Sequence, residues 1–201
     1  MSTGRVVDGL WIGTFEADHG PVLERVDEAL RLLKKHDVHR YNRIRRDLSL
    51  IWVRLLTDGQ GCFNAALRAC ELNTRFVLDN RTSPKEIAAT IVHEGTHARI
   101  EQCGVPYQRE LRHRIEVACF RQEVAFSSRL PDGAGIRERA ERWIAAPQEL
   151  WSDVALEQQY VDGALSTLRH LGVPNWALGI LRRLRVIALA IRRFASGLTS
   201  A

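Results

Sequence analysis

The sequence predicts an α+β domain: an N-terminal helix, a small and mostly antiparallel sheet, and a helical C-terminal half. Three observations predict it. Apolar residues recur at helical spacing over residues 21–35, strand-like stretches follow between residues 48 and 79, and every periodic segment from residue 83 onward reads as helix. A group of strands followed by a group of helices, without strict alternation, is the pattern of an α+β fold.

In the first helix Val22, Leu23, Val26, Leu30 and Leu33 share one face with charges between them, and His19-Gly20-Pro21 supplies its start. Residues 48–56, rich in Leu, Ile, Trp and Val, read as a strand that ends in the turn Thr57-Asp58-Gly59-Gln60-Gly61. Residues 62–71 read as a second strand, although Ala65, Ala66 and Ala69 also suit a helix. Leu72-Asn73 turns the chain into a short strand over residues 74–79, Thr-Arg-Phe-Val-Leu-Asp. Ser83-Pro84-Lys85-Glu86 then combines three helix-start signals: an N-cap serine, a proline at the first position and a glutamate at the third. That helix runs to residue 103, where Gly104 and Pro106 stop it. Further helices are predicted over residues 108–130, 136–145, 148–171 and 174–194.

The chain has 201 residues, 45% of them hydrophobic, with a formal net charge of +5. At roughly 150 residues per domain this is a single domain, 1–201. The composition excludes disordered, collagen-like and disulfide-scaffold classes. The four cysteines, Cys62, Cys70, Cys103 and Cys119, form no CxxC pair and read as reduced thiols. No secretory signal is visible at the start, and the longest aliphatic run, residues 186–191, is far short of the roughly 20 residues that span a bilayer. The expectation is a cytoplasmic protein.

Inside the capped helix lies His93-Glu94-Gly95-Thr96-His97, an HExxH sequence. Histidines at i and i+4 project from one helical face, close enough for both imidazoles to bind one Zn²⁺. Glu94 lies beside them, able to take a proton from metal-bound water. The competing reading is a hydrogen-bonded core cluster on a helix that also carries Ile87, Ile91, Val92 and Ile100. Burying three such groups without a metal costs several kcal/mol unless each finds a partner.

Catalytic zinc takes three protein ligands and keeps one position open. If the helix after Gly104 folds back along the first, then at about 1.5 Å per residue His97 lies ~10 Å and His93 ~16 Å from the turn. Glu116 lies ~13 Å out, level with the gap between them, and Glu123 ~24 Å out, overshooting by about a turn and a half. Both flank the apolar stripe of Leu111, Ile115, Cys119 and Phe126. Glu116 is therefore the expected third ligand, with Glu123 in reserve or holding a histidine N–H from behind. Cys103, six residues after His97, is a rival at the place where metzincins put a third histidine. Here Ile100 stands where that class bends the chain at a glycine.

The order strand, strand, capped HExxH helix, turn and second helix with a glutamate 19 residues after the second histidine resembles the gluzincin class of zincin-like zinc metallopeptidases. The resemblance covers residues 70–130. It implies that His93, His97 and Glu116 bind zinc, that Glu94 is the general base, and that residues 1–135 form the catalytic core, with 136–201 a helical extension. It further implies that the 74–79 strand pairs with an extended peptide or protein substrate. Members of the class often add a Tyr or His that stabilises the oxyanion. Tyr107, His113 and Tyr160 are candidates without a matching motif.

Much of the positive charge lies outside this motif. Arg31, Lys34, Lys35, Arg40, Arg43, Arg45 and Arg46 are opposed only by Asp37, and Arg182, Arg183, Arg185, Arg192 and Arg193 decorate the last predicted helix. The favoured readings are a solvated helix end and loop for the first and a helix packed on its own domain or a partner subunit for the second, with contact to nucleic acid or an anionic membrane surface the less favoured alternative. The alternative to a peptidase is a non-catalytic binding or regulatory protein with a structural metal site.

Overall fold

A computed structural model describes residues 3–181. The chain opens on a hairpin, β1 (Thr3–Val7) and β2 (Leu10–Thr14), antiparallel with Val7 opposite Leu10. Its two-residue turn, Asp8-Gly9, has positive φ at both positions, 49° and 85°, the geometry that matches the twist of paired strands. The Asp8 carboxylate then accepts from Lys34 Nζ and Tyr41 Oη, both at 2.7 Å, and ties the hairpin to the helices that follow.

Those helices are α1 (His19–His36) and α2 (Val38–Asp47). They carry the chain over to β3 (Leu50–Arg54), which lies parallel to β2. A second hairpin, β4 (Gly61–Asn64) and β5 (Ala69–Asn73), inserts β5 parallel to β3 and leaves β4 at the edge. The five-stranded order is β1-β2-β3-β5-β4. A short helix α3 (Thr74–Leu78) leads to α4 (Pro84–Gln102), α5 (Arg109–Ser127) and α6 (Ala134–Ile144). A 3-10 turn at Gln148–Trp151 precedes α7 (Asp153–His170).

The α+β class and the helical second half agree with the sequence. Ser83 and Glu86 make the reciprocal capping box their spacing implies, with Pro84 in the first turn. The sheet departs from expectation in four ways, the first being the N-terminal hairpin β1–β2, which lies outside the predicted strands. Its two central pairings are parallel, so it is mixed rather than mostly antiparallel, because the α1–α2 crossover and the β4–β5 hairpin both return strands in the same direction. The single strand expected over 62–71 is a hairpin, turned where Arg68 takes a left-handed conformation with φ 48°. Residues 74–79 are no strand: Asn73 accepts a hydrogen bond from the Arg75 N–H, caps α3, and overrides the strand preference of Phe76 and Val77.

The core lies between one face of the sheet and α1 and α4. Leu10, Ile12, Ile51, Val53 and Leu72 meet Val22, Val26 and Leu30 of α1 and Ile87 and Ile91 of α4, all essentially inaccessible. This packing holds α4 against the edge strand. A Cβ at Gly61 would stand 2.9 Å from Thr90 Cγ2 and 3.0 Å from the Glu71 carbonyl, so only glycine lets β4 come this close to α4. Among the described residues no helix is long and apolar enough to cross a membrane. The C-terminal arginines from Arg182 onward lie outside the described residues.

Candidate metal centre

His93, Glu94 and His97 occupy the middle of α4, the first two buried and the third largely so. The loop after α4 turns the chain so that α5 packs back along it; the Phe120 ring meets His93 edge-on at 4.7 Å, and three α5 side chains with donor atoms reach the histidines. Glu116 Oε2 lies 3.2 Å from His93 Nε2, and Glu116 Oε1 lies 3.5 Å from His97 Nε2. Glu123 Oε1 lies 2.7 Å from His93 Nδ1. Cys119 is the third: its Sγ and one nitrogen of each histidine are all within 4.8 Å of one another.

These spacings can be compared with what zinc demands. Ligand bonds of 2.0–2.1 Å in a tetrahedron put neighbouring donor atoms about 3.3–3.4 Å apart. The two Nε2–carboxylate distances lie near that value, but they run to different oxygens of Glu116 and are also those of a hydrogen-bonded, charge-paired cluster.

Behind these donors stands a supporting chain. Glu123 turns its second oxygen to Arg139 of α6, which donates at 3.2 Å and also pairs with Glu86 at 3.6 Å. Tyr107, in the α4–α5 loop, donates to Glu116 Oε1 at 2.6 Å, and its ring meets the His97 ring edge-on at 5.5 Å. Each candidate donor is thus oriented by a partner on another element. A partner behind a ligating histidine fixes its tautomer and orientation. Replacing Glu123 with Gln should therefore weaken zinc binding by about 10–100-fold with the fold intact. Competition with a chromogenic chelator measures it, and unchanged affinity would count against the role given to Glu123.

The electrostatics follow from burial and these contacts. Burial opposes charge on His93, but its hydrogen bonds to Glu116 and Glu123 prevail and push its pKa up to about 10. Burial alone dominates His97 and pushes it down to about 4. Glu94 is pushed up to about 7 by burial, with the negative charges of Glu116 and Glu123 adding and His93 and the Phe63 backbone amide opposing. Burial would also raise Glu116, yet His93, His97 and Tyr107 hold it below its ordinary value.

The donors open onto a cavity of about 650 Å³. Gly61, Cys62 and Phe63 of the edge strand form one wall, and Val105, Pro106 and Tyr107 of the α4–α5 loop form another. Ile100 and Ile115 contribute apolar surface, while His93, Glu94, His97 and Glu116 supply the polar part. Of the three oxyanion candidates only Tyr107 lines this cavity. Tyr160 is exposed on α7, and His113 is absent from the cavity wall. Cys103, the rival ligand, caps α4 and is exposed away from the donors.

Sequence reasoning places Cys119 only in an apolar stripe, and it gives no role to Arg139 and no place in the cavity wall to the strand it predicts over 62–71. The available signal for Cys119 was its position three residues after Glu116, which puts both on one face of α5. The basic stretch 31–46 proves to be largely engaged within the domain. Arg31 pairs with Asp27, Lys34 with Asp8, Arg40 with Asp37 and Arg46 with Asp47, and Arg45 lies over the Tyr41 ring. Set beside known proteins, the chain matches no family model, no curated protein and no solved structure.

Proposed function

We propose that the protein is a zinc-dependent metallopeptidase of the gluzincin class, with His93, His97 and Glu116 holding the metal and Glu94 as general base. The observation that carries this reading is the convergence of the two Nε2 atoms on the Glu116 carboxylate, His93 on one oxygen at 3.2 Å and His97 on the other at 3.5 Å, at the wall of a cavity. When bound, zinc supplies a Lewis acid for the scissile carbonyl and makes a water acidic near neutral pH.

The remaining work falls to side chains in the cavity wall. Glu94 accepts the proton of the attacking water and passes it to the leaving amine. Its buried position beside the two histidines, in the wall of the cavity, places the carboxylate for that shuttle. An extended peptide fits along β4, whose outer edge is unpaired in the sheet order and whose residues line the cavity. This reading moves substrate pairing from residues 74–79, which are helical, to residues 61–64. The apolar walls from Phe63, Ile100, Val105 and Ile115 suit side chains of an unfolded or extended segment.

Two measurements on one preparation test the proposal. Elemental analysis should find one zinc per chain, and the zinc-loaded protein should cleave an unstructured polypeptide such as casein. Chelation should stop cleavage, and added zinc should restore it. Full zinc occupancy with no cleavage of any peptide would favour the non-catalytic alternative, a structural metal site.

A further inference from the structure

We infer that Cys119 is a fourth protein donor to the metal, so that the resting site is closed by a thiolate. The inference rests on the reading that His93, His97 and Glu116 hold a metal, and it concerns how that site is regulated. Cys119 is inaccessible to solvent, and it makes no hydrogen bond among the described residues. Its Sγ nevertheless converges with the histidine nitrogens inside a 4.8 Å circle. Glu116, Cys119 and Glu123 follow one another at i, i+3 and i+7 on α5, so one helical stripe presents all three toward α4.

Coordination number gives the contact its consequence. Structural zinc sites are closed by four protein ligands, whereas catalytic sites keep one position for water or substrate. Two imidazoles, a carboxylate and a thiolate complete four. A thiolate at about 2.3 Å from zinc stands about 3.6 Å from a ligating nitrogen, and Cys119 Sγ exceeds that spacing by at most about 1.2 Å to one nitrogen of each histidine. On binding, the thiol proton leaves to solvent and a sulfur lone pair forms the bond to the metal, with no change of oxidation state. Hydrolysis then requires the reverse exchange, in which Cys119 regains a proton and gives up its position.

Cobalt(II) in place of zinc reads this directly, because a cobalt–thiolate bond adds a near-ultraviolet charge-transfer band that imidazole and carboxylate ligands lack. The full-length wild type, Cys119→Ser and Cys62→Ser are loaded with cobalt and compared. Cys62 is the control, as the thiol that lines the cavity. The band is expected in wild type and C62S and absent in C119S, which should bind cobalt at least about tenfold more weakly. Should C119S fail to fold, the triple variant C62S/C70S/C103S still decides the matter, since a band there requires the Cys119 thiolate and its absence overturns the proposal. A cobalt-loaded wild type without the band, or a band that survives in C119S, overturns the role of Cys119 and leaves the metal site standing. Folded wild type that takes up no cobalt overturns the metal site, and Cys119 with it.

Discussion

Glu94→Gln is expected to keep one zinc per chain and to lower peptide hydrolysis by about 10²–10⁴-fold, the usual contribution of a positioned general base. Gln preserves the size and the burial of a side chain that is 6% exposed, so the α4 packing should survive. What it removes is the ability to accept a proton. Glu94 is not among the three proposed ligands, so metal content should not fall. It also removes a buried carboxyl that stands against the charges of Glu116 and Glu123, which favours rather than harms stability. Zinc analysis beside a casein assay reads both halves of the expectation. Wild-type turnover in this variant would sink the mechanism, and lost zinc would show that Glu94 is a ligand.

His97→Ala should cost the metal itself. His97 supplies one of the two Nε2 donors, and its loss leaves His93 and Glu116 as the remaining pair of the proposed triad. Affinity should fall by more than the roughly 10–100-fold that follows loss of a partner behind the ligands. After dialysis the variant should hold well under one zinc per chain and show no hydrolysis. Circular dichroism separates this from unfolding, since α4 is held by its capping box and by Ile87 and Ile91 in the core, none of which contacts the change. A variant that retains full zinc would remove His97 from the site.

Legibility in the sequence followed the range of the interactions. The capping box at Ser83 and Glu86 spans three residues, and HExxH needs only one turn of one helix. Both are local, so periodicity and cap signals sufficed to find α4 and its paired histidines. The hairpin at Asp8-Gly9 was equally local, and its Asp-Gly turn was a readable signal that went unread. The strand expected at 74–79 failed because five residues of strand-forming composition carry less weight than a side-chain cap from Asn73 and the packing of Thr74 and Val77.

Contacts between elements were less accessible. Helical rise puts Glu123 about a turn and a half beyond the site as a ligand, yet leaves it the place behind a histidine that it takes. In the structure it lies 2.7 Å from His93 Nδ1, because α5 begins at Arg109 and two long side chains bridge the remaining offset. Tyr107 could be proposed but not chosen over His113 or Tyr160 until the α4–α5 loop was seen to fold onto Glu116. Cys119 looked like core because its partners are on another helix.

The sequence by itself determined the α+β class, the capped α4 and the pairing of His93 with His97 on one face, since these depend on backbone periodicity and neighbours within four residues. Only the tertiary structure decided that Cys119 joins Glu116 and Glu123 at the histidines, that β4 rather than residues 74–79 walls the cavity, and that the sheet is mixed. Those outcomes depend on how helices and hairpins stack on a shared core, where a displacement of a few ångströms exchanges one donor for another and no local pattern records it.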